Sequence, residues 1–288
     1  MSKKKLMNIL ITGVHGQLGR DVYDLCRRNG HDVIALRHED LDITRYDEVI
    51  DEIKAIKPDF IINCAAYNAV DLAEREWEKA YFVNGIGPKN LSLAANEVNA
   101  VLVHYSTDYV FNGKSFRPYT IVDHPDPINR YGESKLLGEQ MVCRHATHYY
   151  LVRVSWVFGV GNINFVKKVL EWSDKSDTIT IVTDQTASPT YTHDLAKATL
   201  DLMQTDQYGL YHCTNTGHCS RFEFAAYILE QVGWTGNLNP GKSSDFQTPA
   251  NRPGFSVLDN FGLKEVVGYN LPSWQDATKR FLHELGRI

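Results

Sequence analysis

The sequence predicts an α/β protein: a doubly wound parallel sheet with helices on both faces and a smaller, interleaved C-terminal lobe. Three observations point there. In the first half, short apolar runs alternate with segments of helical periodicity. A turn spaced Gly13-x-x-Gly16-x-x-Gly19 joins the first run to the first helix. Of 288 residues, 43% are hydrophobic and 23% charged, which is globular and leaves ample apolar material for a core.

The elements follow in order. Residues 6–12 are a short apolar run ending at the glycine turn, and 16–29 read as a helix. Residues 32–36 are a second strand. A second helix spans 46–56, with Thr44 as its expected cap. Strands at 58–64 and 101–106 follow, separated by helical patterns at 71–81 and 88–99. A helix at 131–144 leads to a strand at 149–155. Strands alternating with helices mean βαβ units, and right-handed crossovers place helices on both faces. Beyond that the pattern loosens. Helices are expected at 165–172, 194–203, 221–232 and 274–285, and short strands at 179–183 and 209–214. Gly, Pro, Asn and Ser crowd 233–254, which reads as loops. Residues 1–155 therefore form mainly the sheet domain and 156–288 mainly the second lobe, with some segments returning to the first.

Charge and composition exclude several classes. A net charge of −5 and a pI of about 6.1 give no basic footprint for nucleic acid. No apolar stretch approaches the ~18 residues of a membrane span. The five cysteines, Cys26, Cys64, Cys143, Cys213 and Cys219, are odd in number and scattered. A disulfide framework or zinc cluster is not expected, and reduced thiols suit a cytoplasmic protein. Lys3, Lys4 and Lys5 read as a solvated leader rather than a targeting arm.

The glycine turn has a physical purpose. A tight turn uses the φ freedom of Gly13, a Cβ at Gly16 would block a pyrophosphate, and Gly19 lets helix and sheet pack closely. The helix N-terminus then offers free N–H groups to phosphates. Turns collect glycine anyway, so the strand-before, helix-after setting carries the weight. This spacing resembles the short-chain dehydrogenase/reductase superfamily and implies a Rossmann-like dinucleotide-binding domain. The second strand ends at Arg37, where an acid would bind the ribose of NAD and an arginine suits a 2′-phosphate. That favours NADPH over NADH without excluding it. Alternatively, Arg37 stacks on the adenine or points to water.

Tyr131 and Lys135 lie four apart on one face of a predicted helix. Carbonyl reduction needs a proton for the nascent alkoxide, and a tyrosine beside a lysine can supply it. With 15 tyrosines, roughly one Tyr-x-x-x-Lys arises by chance, so position decides. Ahead of the pair, Ser106 and Thr107 end a buried strand, where ligands of open parallel sheets bind. A hydroxyl there can orient a substrate carbonyl, and Thr107 is the better candidate; the alternative is that both cap the next loop.

Further segments complete a pattern: Asn63-Cys64-Ala65-Ala66-Tyr67, Val70-Asp71-x-Ala73-Glu74, Ser106-Thr107-Asp108-Tyr109-Val110-Phe111, Arg153-Val154-Ser155-Trp156-Val157, Ser188-Pro189-Thr190 and Arg252-Pro253. Together they resemble the dTDP-4-dehydrorhamnose reductase family, from the first strand to about residue 260. The resemblance implies NADPH- or NADH-dependent reduction of the 4-keto group of dTDP-4-dehydro-6-deoxy-L-mannose. In that scheme Tyr131 donates the proton, Lys135 binds the ribose and lowers the tyrosine pKa, and Thr107 holds the 4-keto oxygen. Cofactor contacts carried over are Gly16, Gln17, Leu18, Arg37, Asp42, Ile43, Ala65, Ala66, Tyr67, Tyr131 and Lys135, beside Gly13 and Gly19 of the turn. Asp108, Tyr109 and Trp156 match sugar-site positions, and Arg252 suits the diphosphate. A core aromatic is the alternative for Trp156, and a surface arginine for Arg252. The family includes magnesium-dependent dimers. Here Asp21 matches one metal position, His193 stands near another, and Glu284 is the only acid at the C-terminus, so a homodimer is possible and no metal is expected. Two other readings stay open: a reductase of another nucleotide-activated keto-sugar, and a non-catalytic NADP-binding regulatory subunit like that of methionine adenosyltransferase.

Overall fold

A computed structural model describes residues 6–288 of the chain. Lys3, Lys4 and Lys5, read above as a leader, lie outside the described residues. The first half follows the predicted alternation: β1 (Asn8–Thr12), α1 (Gln17–Arg28), β2 (Asp32–Leu36), α2 (Tyr46–Ile56), β3 (Phe60–Asn63), α3 (Val70–Ala73), α4 (Trp77–Tyr81), α5 (Gly87–Glu97), β4 (Val101–Thr107), α6 (Arg130–His145) and β5 (Tyr149–Val154). After these come β6 (Val157–Phe158), α7 (Phe165–Lys175), β7 (Thr178–Val182), β8 (Thr186–Ala187), β9 (Thr190–Tyr191), α8 (Thr192–Leu202) and β10 (Gly209–His212). The chain ends with β11 (Cys219–Ser220), α9 (Arg221–Gln231), β12 (Asn237–Gly241), α10 (Leu263–Val267) and α11 (Trp274–Glu284).

The main sheet has six strands in the order β10-β5-β4-β3-β1-β2, every neighbouring pair parallel. Its direction of winding reverses between β1 and β3, which opens a crevice at the carboxyl ends of those strands. Each face carries its own core. One buries Ile9, Ile11, Val103 and Val152 against Val22 of α1 and Leu195 of α8. The other buries Leu10, Ile61 and Leu102 against Val49, Ile53 and Leu91. Residues from the last third, in α8, β10 and α10, thus belong to the first core. The second lobe has a separate core of Phe158, Val169, Ile181, Phe224, Trp274 and Phe281.

Three local expectations are corrected. The helix expected at 71–81 is broken into α3 and α4, and the chain then passes through one π-helical turn, Phe82–Ile86, into α5. Pro88, in the first turn of α5, has no N–H for the preceding turn. The wide turn brings in Asn84, whose amide accepts from Tyr67 N and donates to Tyr67 O and Ser134 Oγ. Thr44 does not cap α2. Its N–H and hydroxyl both donate to Asp42 Oδ1, and Arg45 stands at the N-cap. Finally, 233–254 is not all loop: β12 pairs in parallel with β7, from Asn237–Thr178 to Gly241–Val182. Composition marks a loop there, but partnering with a strand some sixty residues earlier is invisible to local pattern.

Candidate active site

The tips of the central strands are tied together by one buried amide. Asn63 Oδ1 accepts from Thr12 Oγ1 at 2.8 Å and from Ala65 N at 3.1 Å, while its Nδ2 lies 3.0 Å from His104 Nδ1. This aligns β1, β3 and β4 at their carboxyl ends, where a cavity of about 390 Å³ opens.

The glycine turn forms one rim. Gly13 has φ +70°, and a Cβ there would stand 2.5 Å from Ala65 N. At Gly19 a Cβ would meet Gly13 O at 2.4 Å. Both positions therefore require glycine on steric grounds. Gly16 is the N-cap of α1 and supplies no side-chain hydrogen bond, so the leading N–H groups of the helix are left to a ligand. Gly16, Gln17, Leu18, Gly19, Ala65 and Ala66 all line the cavity.

The far wall carries Tyr131 and Lys135. Asn129 caps α6, accepting from Gly132 N at 2.7 Å, and this sets the rotation of the helix that presents Tyr131 and Lys135 inward. Tyr131 packs edge-on against Tyr109, with ring centroids 5.8 Å apart. Its phenol lies 3.5 Å from Asn68 Oδ1. Burial pushes the phenol pKa upward; hydrogen bonding with Thr107 opposes this, and Asp108 and Tyr109 add to it. Lys135 is 3% exposed and donates to Tyr105 O at 2.6 Å, and burial lowers its pKa to about 8. Neighbouring His104 is held neutral by burial and by Lys135.

Thr107 caps and also lines the cavity. Its Oγ1 accepts from Tyr109 N at 3.1 Å, capping the short 3-10 turn Asp108–Val110, and the residue lines the same cavity as Tyr131. Asp108 is buried and accepts from Thr107 and Ser256. Burial raises its carboxyl pKa to about 6 despite these bonds. Ser106 Oγ is buried at the cavity wall with no hydrogen-bond partner among the described residues. Trp156 lines the cavity from a left-handed backbone conformation, φ +43°, which is costly for a bulky residue.

Thirteen positions were named from sequence for the cofactor, and the cavity gathers only part of them. Gly13 shapes the turn from behind. Arg37 is exposed and paired with Asp40 at 2.8 Å. Asp42 accepts from Thr44, and Ile43 is buried against Gly87. Tyr67 donates its hydroxyl to Glu76. These four lie beyond the cavity on the side of β2 and α3. Arg252 is also outside it. Its guanidinium donates to Asp71 Oδ2 at 2.7 Å and to Ala250 O, and it lines two adjoining clefts. Asp21, His193 and Glu284 line a separate cleft with Tyr191 and Arg280; Asp21 accepts from Thr192 and Glu284 from Tyr191. Among the described residues, no three His, Cys, Asp or Glu side chains are arranged to hold a metal. Nor is any helix among them long and apolar enough to cross a membrane.

Three cavity residues, Asn68, Asn162 and Arg221, belong to no motif or site named from sequence. Asn68 follows the Ala65-Ala66-Tyr67 segment, Asn162 precedes α7, and Arg221 opens α9. The capping box of Ser220 and Glu223 marks the start of that helix, but nothing local shows that the arginine turns into the cavity.

The residues present fit a dinucleotide. The glycine turn is tight enough that a Cβ at Gly13 or Gly19 would strike backbone, the helix end offers N–H groups, Ser106 Oγ has no hydrogen-bond partner among the described residues, and Lys135 is a buried cation with a carbonyl as its hydrogen-bond acceptor.

Comparison with known proteins agrees. The family described as RmlD substrate binding domain matches residues 7–287. The spore coat polysaccharide biosynthesis protein SpsK of Bacillus subtilis is 37% identical over 279 residues, 97% of this chain and 98% of that protein. The solved dTDP-4-dehydrorhamnose reductase of Clostridium acetobutylicum superposes with a TM-score of 0.94 at 40% identity, covering 97% of this chain and all of that one. That of Bacillus anthracis, in complex with NADP, gives 0.94 at 38% identity with the same coverage. The chain belongs to the dTDP-4-dehydrorhamnose reductase family.

Proposed function

We propose that this protein reduces the 4-keto group of dTDP-4-dehydro-6-deoxy-L-mannose to give dTDP-L-rhamnose, using NADPH or NADH. The observation that carries the reading is the convergence of Thr107, Tyr131 and Lys135 on a cavity rimmed by the glycine turn. The relatives' names point to the same reaction, and the Bacillus anthracis enzyme binds NADP.

When bound, the nicotinamide cofactor supplies the hydride. The protein's part is to hold the cofactor and substrate and to move one proton. Gly16, Gln17 and Leu18 would receive the pyrophosphate at the end of α1, with Ala65 and Ala66 along the adjoining wall. Asp42, Ile43 and Tyr67 would border the adenosine side. Arg37 would meet a 2′-phosphate by exchanging part of its contact with Asp40. Lys135 would donate to ribose hydroxyls, since only one of its three N–H groups is needed by Tyr105 O.

Tyr131 would be the general acid. Its raised pKa keeps the phenol protonated at neutral pH, as a donor to a developing alkoxide must be. Thr107 would hold the carbonyl oxygen beside it. Asp108, Tyr109 and Trp156 would border the sugar, and Arg252 the nucleotide side. The test is direct: purified protein, the dTDP-4-keto-sugar and NADPH, followed by loss of nicotinamide absorbance. No loss with this sugar, against turnover with another nucleotide-activated keto-sugar, would reassign the substrate.

A further inference from the structure

Arg221 is the cation the mechanism above leaves unused. Its guanidinium carbon sits 3.6 Å from the centroid of the Trp156 ring and 4.5 Å from that of Phe165. Those rings belong to one aromatic shelf: Trp156 and Phe165 both stack on Phe224, at 6.4 and 5.5 Å. Among the described residues, no hydrogen bond or ion pair engages the guanidinium, although it has five N–H donors. By contrast, Arg153 is held by Glu139 and Arg252 by Asp71. Burial lowers the Arg221 pKa to about 10, with Tyr109 and Asp108 opposing, so the charge persists at neutral pH in a setting that favours a counter-ion.

Its location says which counter-ion. Arg221 lines the cavity of Tyr131 and Thr107, and it also lines both adjoining clefts, of about 490 and 550 Å³. It is thus a junction between a site for a small carbonyl compound and a cleft bordered by Phe165, Trp172 and Phe246. A nucleoside diphosphate sugar has its anionic link in that order: sugar, diphosphate, nucleoside. Arg252, the sequence-based choice for the diphosphate, lies on the clefts but not on the cavity, and Asp71 already meets its charge.

We propose that Arg221, stacked in advance on Trp156 and Phe165, receives the diphosphate of the nucleotide-sugar and selects diphosphate-linked substrates; this rests on the reductase reading. Stacking fixes the plane of the guanidinium fork, so little side-chain freedom is lost when it binds phosphate oxygens. The left-handed backbone at Trp156 is then the strain that sets the indole beneath the arginine.

The experiment compares dTDP and thymidine binding by calorimetry in wild type, Arg221→Met and Arg221→Lys, beside substrate KM, NADPH affinity and melting. Arg221→Met should weaken dTDP and raise KM roughly 10- to 100-fold, the usual worth of a charge-assisted pair. Thymidine and NADPH affinities should hold, so the preference for dTDP over thymidine collapses. Arg221→Lys should fall between. If Arg221→Met does not fold, Arg221→Gln carries the same comparison. A folded variant that keeps the wild-type preference overturns the assignment, even with turnover intact. Arg221-dependent dTDP binding by a wild-type protein that reduces no dTDP-keto-sugar would instead remove the reductase reading and leave this one.

Discussion

Replacing Tyr131 by Phe removes one hydroxyl and leaves the ring. The structure says how little else should change. The edge-on contact with Tyr109 is made by the ring, at 5.8 Å, and persists. The contact to Asn68 is 3.5 Å, long for an O–H donor, so its loss should cost the fold no more than about 1 kcal/mol. Lys135 keeps its bond to Tyr105 O, and the glycine rim is untouched, so NADPH affinity should stay within about twofold. The proton for the alkoxide, however, has lost its donor. A positioned general acid is worth about a hundred- to ten-thousand-fold, or roughly 2.7–5.5 kcal/mol of barrier. Stopped-flow or steady-state loss of nicotinamide absorbance gives kcat, fluorescence titration gives the cofactor affinity, and urea unfolding gives the stability. Wild-type kcat in a folded, cofactor-binding Tyr131→Phe protein would show that another group delivers the proton.

Three further outcomes follow. Gly19→Ala sets a Cβ against Gly13 O and Val14 Cα, both backbone, so unfolding should cost about 1–3 kcal/mol less and NADPH binding should fall; unchanged melting and affinity would mean the turn has room to spare. Burial favours the neutral form of Lys135, so its charge is present below about pH 8 and lost above it. Because kcat/KM reports free-enzyme groups, it should decline on the alkaline side with a midpoint near 8; Lys135→Arg, charged throughout, should lower the rate but remove that limb, and persistence of the same limb would assign it elsewhere. Arg37→Ala should weaken NADPH more than NADH, and equal losses in the two titrations would detach Arg37 from the 2′-phosphate.

The alternation from β1 to β5 was readable because each element carries its own period: two for half-buried strands, 3.6 for helices. The glycine turn was readable for a similar reason, since its steric demands act on neighbours a few residues away. Tyr131 and Lys135 share a face by helical spacing alone, and Thr107 reaches the crevice because parallel strands end there. Each of these is a short-range consequence of backbone geometry. One local expectation failed: Thr44 gives its N–H and hydroxyl to Asp42 two residues back, and Arg45, not Thr44, stands at the N-cap of α2.

Other features depend on partners far along the chain. Asn84 shapes a π-helical turn because Tyr67 and Ser134 converge on it. β12 exists because β7 is beside it, and β10 extends the main sheet next to β5 after the first segments of the second lobe have intervened. Arg252 reads from sequence as suited to a diphosphate, and only the fold shows Asp71, 181 residues earlier, against its guanidinium. Arg221 stands in sequence only as the first residue of an expected helix, and the fold sets it over Trp156 at the cavity. Local pattern thus determined the dinucleotide-type domain and the shared face of Tyr131 and Lys135, whose geometry is set by repeat distances within single elements. Which arginine lines the cavity without an ion pair among the described residues was decided only by tertiary structure, because charge pairing depends on distance in space and not on separation in sequence.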